Sequence, residues 1–271
     1  MKNLPKITSK LNPLVKSVHL LKSKRAAESD LFICEGIKLV EEAVNSGSLI
    51  RYVFISDKFC KSKTNGPFIK KIKGLGLDVI HTADSIVDYL SDVVTHQGII
   101  AVVKKGFYQD DKLFDGANGI ILLLYKLQDP GNLGTIIRVA EAGGVKGIII
   151  TDGTVDPYNP KTVRATMGSI FRMPIAKIDD ASNFIKKVKD LDYKSIGFFP
   201  KAKEEYFNAD LTGPIILTFG HEAAGLPVEI GRLMDMQLKI PMSGDVESLN
   251  VAVSAAVVIY ESMRQRRGKI C

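Results

Sequence analysis

Hydrophobic positions along this chain follow two periods, and the switches between them mark out the elements. From Asn12 to Ala27, Leu14, Val18 and Leu21 recur at helical spacing, while Lys16, Lys22, Lys24 and Arg25 supply a polar side. Short apolar runs predict strands at Leu31–Cys34, Tyr52–Ile55, Val79–Ile80 and Ile99–Val103. The stretches between them predict helices at Ile37–Ser46, Phe68–Lys73 and Ala83–Val94. Residues 1–105 thus read as a small α/β unit. Lys104 to Asn118 is polar, with Gly106, Gly116 and the adjacent Asp110 and Asp111, so residues 106–118 read as a linker.

Beyond the linker, strands and helices alternate over residues 119–271. Strands are predicted at Gly119–Tyr125, Gly147–Thr151, Ser195–Phe199, Ile215–Phe219 and Gln237–Ile240. A helix runs to Gly143, another surrounds Lys161–Gly168, and others cover Ala181–Leu191, Leu226–Met234 and Leu249 to Arg266. Continuous apolar strands separated by helices predict a mostly parallel sheet covered on both faces, hence an α/β fold.

Charge sharpens this division. The chain carries a net +7, yet residues 1–30 hold seven Lys and Arg against Glu28 and Asp30, and residues 51–73 hold seven against Asp57. The rest of the chain is net acidic, so the basic footprint lies in the N-terminal third and points to an anionic partner. Cys34, Cys60 and Cys271 are odd in number and widely spaced, which disfavours a disulfide framework or a thiolate zinc site and suits a reducing compartment. Met1 to Lys6 leads into no long apolar run, and Ile120–Tyr125 is far too short to span a bilayer. A soluble cytoplasmic protein is expected. Neither a dinucleotide glycine motif, nor a Walker motif, nor a Cys/His metal cluster occurs.

Three segments place small or polar residues where a buried strand ends, the position at which open α/β sheets bind ligands. In Gln128-Asp129-Pro130-Gly131-Asn132, Asn132 suits the cap of the following helix. Leu133, Ile136, Ile137 and Ala140 give that helix a core face, with Arg138 on the other side. By composition Arg138 reads as a solvated helix arginine. Gly220-His221-Glu222-Ala223-Ala224-Gly225 joins a strand to a helix, and Glu222 there is either a helix-terminal carboxylate or a substrate contact. His221 reads as a surface or packing residue. Ile240-Pro241-Met242 leads through Gly244 to Ser248-Leu249-Asn250, and Ser248 or Asn250 is placed to cap the last helix, whose apolar stripe is Leu249, Val253, Ala256, Val257 and Tyr260.

In order and spacing these segments resemble the three motifs of the SpoU/TrmH family of RNA 2′-O-methyltransferases. Val155 to Ser169 is similar to the family's segment between its first two motifs, with Arg164 and Ser169 as substrate-facing candidates. Thr95-His96-Gln97-Gly98-Ile99 resembles the family's signature at the end of its substrate domain. The resemblance implies a SPOUT domain over residues 119–271 with a deep trefoil knot, which periodicity never shows and general topology disfavours. It implies a ribosomal-protein-like RNA-binding domain over 1–105, S-adenosylmethionine as methyl donor, and a homodimer in which motif-one residues of one subunit complete the site of the other. The implied donor pocket comprises Leu217, Thr218, Gly220, Ile240, Pro241, Met242 and Leu249. Arg138, Asn132, Glu222, Ser248 and Asn250 are the implied catalytic set. On chemical grounds Arg138 is expected to grip phosphate and stabilise developing alkoxide, since a guanidinium is a poor base. Glu222 or an associated water is then the expected proton acceptor. The expected substrate is structured RNA, ribosomal rather than transfer RNA. A tRNA 2′-O-methyltransferase, a guanine-N1 base methyltransferase and a non-catalytic ribosome-assembly factor stand as alternatives.

Overall fold

The protein is represented by a computed structural model that describes residues 6–23, 28–106, 108, 113–114 and 119–268. In chain order the elements are α1 (Pro13–Leu20), β1 (Leu31–Glu35), α2 (Ile37–Asn45), β2 (Ile50–Ser56), α3 (Asp57–Lys61), α4 (Gly66–Gly74), β3 (Val79–Thr82), α5 (Asp84–Leu90) and β4 (Ile99–Lys104). There follow β5 (Ile120–Leu124), α6 (Pro130–Ala142), β6 (Gly147–Thr151), α7 (Pro160–Ala165), β7 (Ile175–Ile178), α8 (Ala181–Lys189) and β8 (Lys194–Phe198). The last are β9 (Glu204–Glu205), β10 (Ile215–Phe219), α9 (Val228–Leu233), β11 (Met236–Lys239) and α10 (Val251–Gly268). Contacts group the chain into two units, residues 1–105 with 158–171, and residues 106–157 with 172–271.

The first unit is built on a four-stranded sheet in the order β1-β4-β2-β3. β4 is antiparallel to β1 and β2, and β2 is parallel to β3. Side chains alternate across a strand, so Ile33, Phe54, Ile80, Ile100 and Val102 share a core with Val15 and Val18 of α1 and Ile86, Val87 and Leu90 of α5. Cys34 is fully buried, and burial pushes its thiol up to about 12, so it stays protonated. Phe32 of β1 meets Tyr158 at 4.8 Å and Phe171 at 6.0 Å between ring centroids. The α7 segment therefore packs on β1, although its sequence lies between two strands of the second unit.

That second unit carries a seven-stranded sheet in the order β7-β6-β5-β10-β8-β11-β9. All of its pairings are parallel. Ile121, Leu123, Ile149 and Ile216 pack with Phe184, Ile185 and Val188 of α8 and Ile230 of α9. α6 and α10 pack on one another so closely that a Cβ on Gly143 would lie 2.2 Å from Ile259 Cγ2. Among the described residues no helix is long and apolar enough to cross a membrane.

Several elements differ from the sequence expectation. α1 ends at Leu20, and Lys24 to Ala27 lie outside the described residues. Most of 106–118 also lies outside them, but Leu113 is buried in the second core, so this stretch is more than a polar spacer. α5 stops at Leu90 and α10 begins at Val251. β7, β9 and α3 have no counterpart in the sequence reading; they are too short for a period to register. The apolar stripe read on α10 is not its core face. Ala252, Ala255, Val258 and Ile259 are buried, whereas Val253 and Tyr260 are 48% and 47% exposed.

Candidate active site

Four adjacent parallel strands, β5, β10, β8 and β11, send their carboxyl ends to one edge of the sheet. The loops that follow them build the site. β10 gives way at Gly220 to a loop whose ends close on each other. His221 N–H donates to Gly225 O at 3.2 Å and Gly225 N–H to His221 O at 2.8 Å. Only glycine fits at 220, because a Cβ there would stand 2.3 Å from the Gly225 carbonyl carbon. Gly225 itself has φ +66°, a conformation that L side chains rarely adopt.

Glu222 leaves this loop toward the one after β5. Its carboxylate accepts from Gln128 N–H at 3.1 Å, Asp129 N–H at 3.0 Å and Asn132 Nδ2 at 3.2 Å. Burial alone would raise this carboxyl. The hydrogen bonds from Asp129, Gln128, its own N–H and Asn132 outweigh burial and hold it below the ordinary glutamate value. The helix cap is Asp129, whose side chain accepts from Asn132 N–H at 2.8 Å. Pro130 occupies the first helical position, so the helix starts three residues earlier than an Asn132 cap would allow. Asn132 is thereby freed to use its amide laterally, and its Oδ1 accepts from Asn250 Nδ2 at 2.9 Å. Asn250 also caps α10, with Oδ1 accepting from Ala252 N–H at 2.9 Å. The chain Glu222–Asn132–Asn250 thus ties all three motif loops together.

Beside it lies a cavity of about 270 Å³. Phe198, Phe199, Phe219, Leu226, Ile240 and Met242 give it apolar walls, while Pro200, residues 220–225, Ser248, Leu249, Val251 and Ser254 complete its lining. Phe198 and Phe219 stack at 4.8 Å with their planes 6° apart. A mostly apolar cleft with aromatic walls and a glycine-loop backbone at its rim fits a nucleoside-bearing ligand.

Of the residues expected in the donor pocket, Gly220, Ile240, Met242 and Leu249 line this cavity. Leu217 and Thr218 are fully buried inside β10 and do not reach it, and Pro241 lies outside the lining. Phe198, Phe199, Pro200 and Ser254 were not singled out from the sequence. The first three follow the same rule, a parallel strand's carboxyl end, that singled out Gly220 and Ile240. Asn132, Glu222 and Asn250 come together, and Ser248 joins the cavity wall. Arg138 is different. It is exposed on α6, six residues beyond Asn132, and makes no hydrogen bond or ion pair among the described residues. No group of His, Cys, Asp and Glu among the described residues is arranged to hold a metal ion.

Comparison with known proteins agrees with this geometry. Residues 119–260 match the SpoU rRNA Methylase family. Residues 33–109 match the RNA 2′-O ribose methyltransferase substrate-binding family. The chain is 30% identical to the 23S rRNA (guanosine(2553)-2′-O)-methyltransferase RlmP of Bacillus subtilis, over 95% of this chain and 98% of that protein. It superposes on the AdoMet-bound rRNA methyltransferase of Sinorhizobium meliloti with a TM-score of 0.85 and 30% identity, covering 96% and 97% of the two chains. The AdoMet complex of the SpoU methyltransferase AviRb from Streptomyces viridochromogenes gives 0.86 at 26% identity, covering 94% and 98%. With its parallel sheet and its motif loops gathered at one edge, the chain belongs to the SpoU methylase family, the S-adenosylmethionine-dependent RNA 2′-O-ribose methyltransferases.

Proposed function

We propose that this enzyme methylates a ribose 2′-hydroxyl in ribosomal RNA, in the cytoplasm, with the cavity between the β8, β10 and β11 loops as its methyl-donor site. The hydrogen-bonded chain Glu222–Asn132–Asn250 beside that cavity carries the proposal, because it places the three motif loops around one apolar cleft. When bound, the donor supplies an electrophilic methyl group on a sulfonium, which passes to the ribose oxygen. The protein must then position the hydroxyl, stabilise its developing charge and accommodate its proton.

In this reading Glu222 positions groups and does not take the proton. Its oxygens already accept several N–H donors, and its basicity is depressed. Asn132 and Asn250 hold the loop ends, and Ser248 faces the donor. Arg138 supplies a guanidinium to the substrate phosphate and to the developing alkoxide through its planar fork. Water accepts the proton. Arg138 lies about 9 Å along α6 from Asn132 and is turned roughly 240° from it, which sets it on a different side of the helix from the asparagine that joins the motif loops. A homodimer resolves this, with Arg138 of one copy serving the cavity of the other. The exposed Val253 and Tyr260 of α10 support such an assembly.

Residues 1–105 are assigned to RNA capture, and the charge excess there supports that role. The trefoil knot implied by the resemblance belongs to the same proposal for residues 119–271. The test is mass spectrometry of nucleosides from 23S rRNA incubated with the enzyme and radiolabelled donor. A new ribose-methylated nucleoside is expected. A base-methylated nucleoside, or labelling of tRNA alone, would replace the proposal, and no labelling of any RNA would leave a binding protein.

A further inference from the structure

His221 is committed to a role that the family motif does not assign. Its Nδ1 accepts from two backbone groups, Ala223 N–H at 3.0 Å and Ala224 N–H at 3.3 Å. Backbone N–H groups only donate, and a ring nitrogen accepts only when it carries no proton. The imidazole is therefore neutral, with its hydrogen on Nε2. That ring closes from inside the same five residues that the His221–Gly225 backbone pair closes from outside. All five line the cavity.

We infer that His221 is a positioning residue for methyl-donor binding. Its neutral imidazole acts as the acceptor of an Asx-type turn and holds loop 221–225 as one wall of the donor cavity. The chemistry is that of asparagine in a turn, whose Oδ1 hangs from Cγ as Nδ1 does in histidine and bonds to backbone N–H groups further on. The same ring bonds Ala223 and Ala224 and leaves the Glu222 carboxylate to its own donors on the loop after β5. It also removes His221 as a proton acceptor for the ribose, because Nε2 already bears hydrogen. A protonated ring has no acceptor at Nδ1 and would turn an N–H toward two others, so the arrangement exists only with the ring uncharged. Glu222 is the other ionisable residue in the lining, and its depressed carboxyl keeps it charged.

The inference rests on the reading of the cavity as the donor site, and the experiment separates the two. S-adenosylmethionine binding to the full-length protein is measured by calorimetry for the native chain, His221→Ala, His221→Asn and Ser254→Phe, with steady-state kinetics for each. Losing two turn hydrogen bonds should weaken donor affinity about tenfold in His221→Ala. The donor KM should rise by a similar factor while kcat at saturating donor is kept. His221→Asn should restore affinity to within a few-fold of native. Nitrogen NMR of the native protein should show an unprotonated Nδ1 and a protonated Nε2. Equal loss in His221→Ala and His221→Asn would overturn the acceptor role, as would native affinity in His221→Ala or a protonated Nδ1. Ser254→Phe fills the cavity from α10 and leaves the sequence of the loop unchanged, so native donor affinity in that variant would overturn the cavity assignment itself.

Discussion

Asn250 donates its amide to Asn132 Oδ1 across 2.9 Å while its own Oδ1 caps α10, so one side chain ends a helix and binds a loop 118 positions away in sequence. Asn250→Asp separates these roles. Aspartate is as good a helix cap as asparagine, so thermal stability should stay within about 0.5 kcal/mol of native. It cannot donate to Asn132, and methyl transfer should fall. Calorimetric melting and an initial-rate assay on rRNA check this, and full activity in a stable Asn250→Asp protein would make the link between the two asparagines dispensable.

Glu222 links stability to acidity in a definite direction. Its folded carboxyl lies below the ordinary value, so its contribution is present above about pH 4.3, the unfolded value, and is lost as pH falls through the lower folded value. Glu222→Gln lacks that contribution at every pH, and its amide presents hydrogens to backbone N–H groups. The melting-temperature gap between native and Glu222→Gln should be largest near neutrality and shrink in acid. A gap independent of pH would mean that the carboxylate charge does not hold the loop.

Gly220 and Gly225 should respond differently to substitution. At Gly220 a methyl group meets the Gly225 backbone at 2.3 Å, and neither side can yield. Gly220→Ala should therefore abolish donor binding by forcing its own loop open, not by filling ligand space. At Gly225 a Cβ meets nothing within 4 Å, and φ is the only obstacle. Gly225→Asn, a residue that tolerates this conformation, should retain donor binding within a few-fold by calorimetry.

Arg138 should tolerate no replacement. Arg138→Lys cannot reproduce a bidentate fork and should lose rate nearly as far as Arg138→Ala, on the order of 10²–10³, with donor affinity kept. Mixing Arg138→Ala with Gly220→Ala subunits should restore activity above either parent, because one cavity per heterodimer then has both halves intact. Activity no higher than the parents, after confirmed subunit exchange, would place Arg138 in its own chain's site.

The parallel sheet was legible because its strands are buried on both faces and read as unbroken apolar runs such as Ile120–Leu124 and Ile215–Phe219. The motif loops were legible because glycine, proline and asparagine interrupt those runs. Residue roles were less so. Asn132 and Asp129 are equally good caps by composition, and only Pro130 at the first helical position gives the cap to Asp129. Leu217 and Thr218 sit next to Gly220 in sequence, yet strand geometry turns them into the sheet. The α10 stripe misled because a helix apolar on two faces offers periodicity two choices. Lateral contacts such as Glu222 with Asn132 span 90 positions and leave no local signature.

The packing of α7 on β1 sets an order on how this protein can be made. A ribosome releases residues 6–105 first, and domains fold broadly as they emerge. The face of β1 that carries Phe32 must then wait for Tyr158 and Phe171, which arrive only after β5, α6 and β6 have been synthesised. The N-terminal unit is thus left unfinished until two of the seven strands of the other sheet have been translated. Cutting the chain at the linker yields neither unit whole, so exchange of substrate domains between relatives requires α7 to travel with the N-terminal piece.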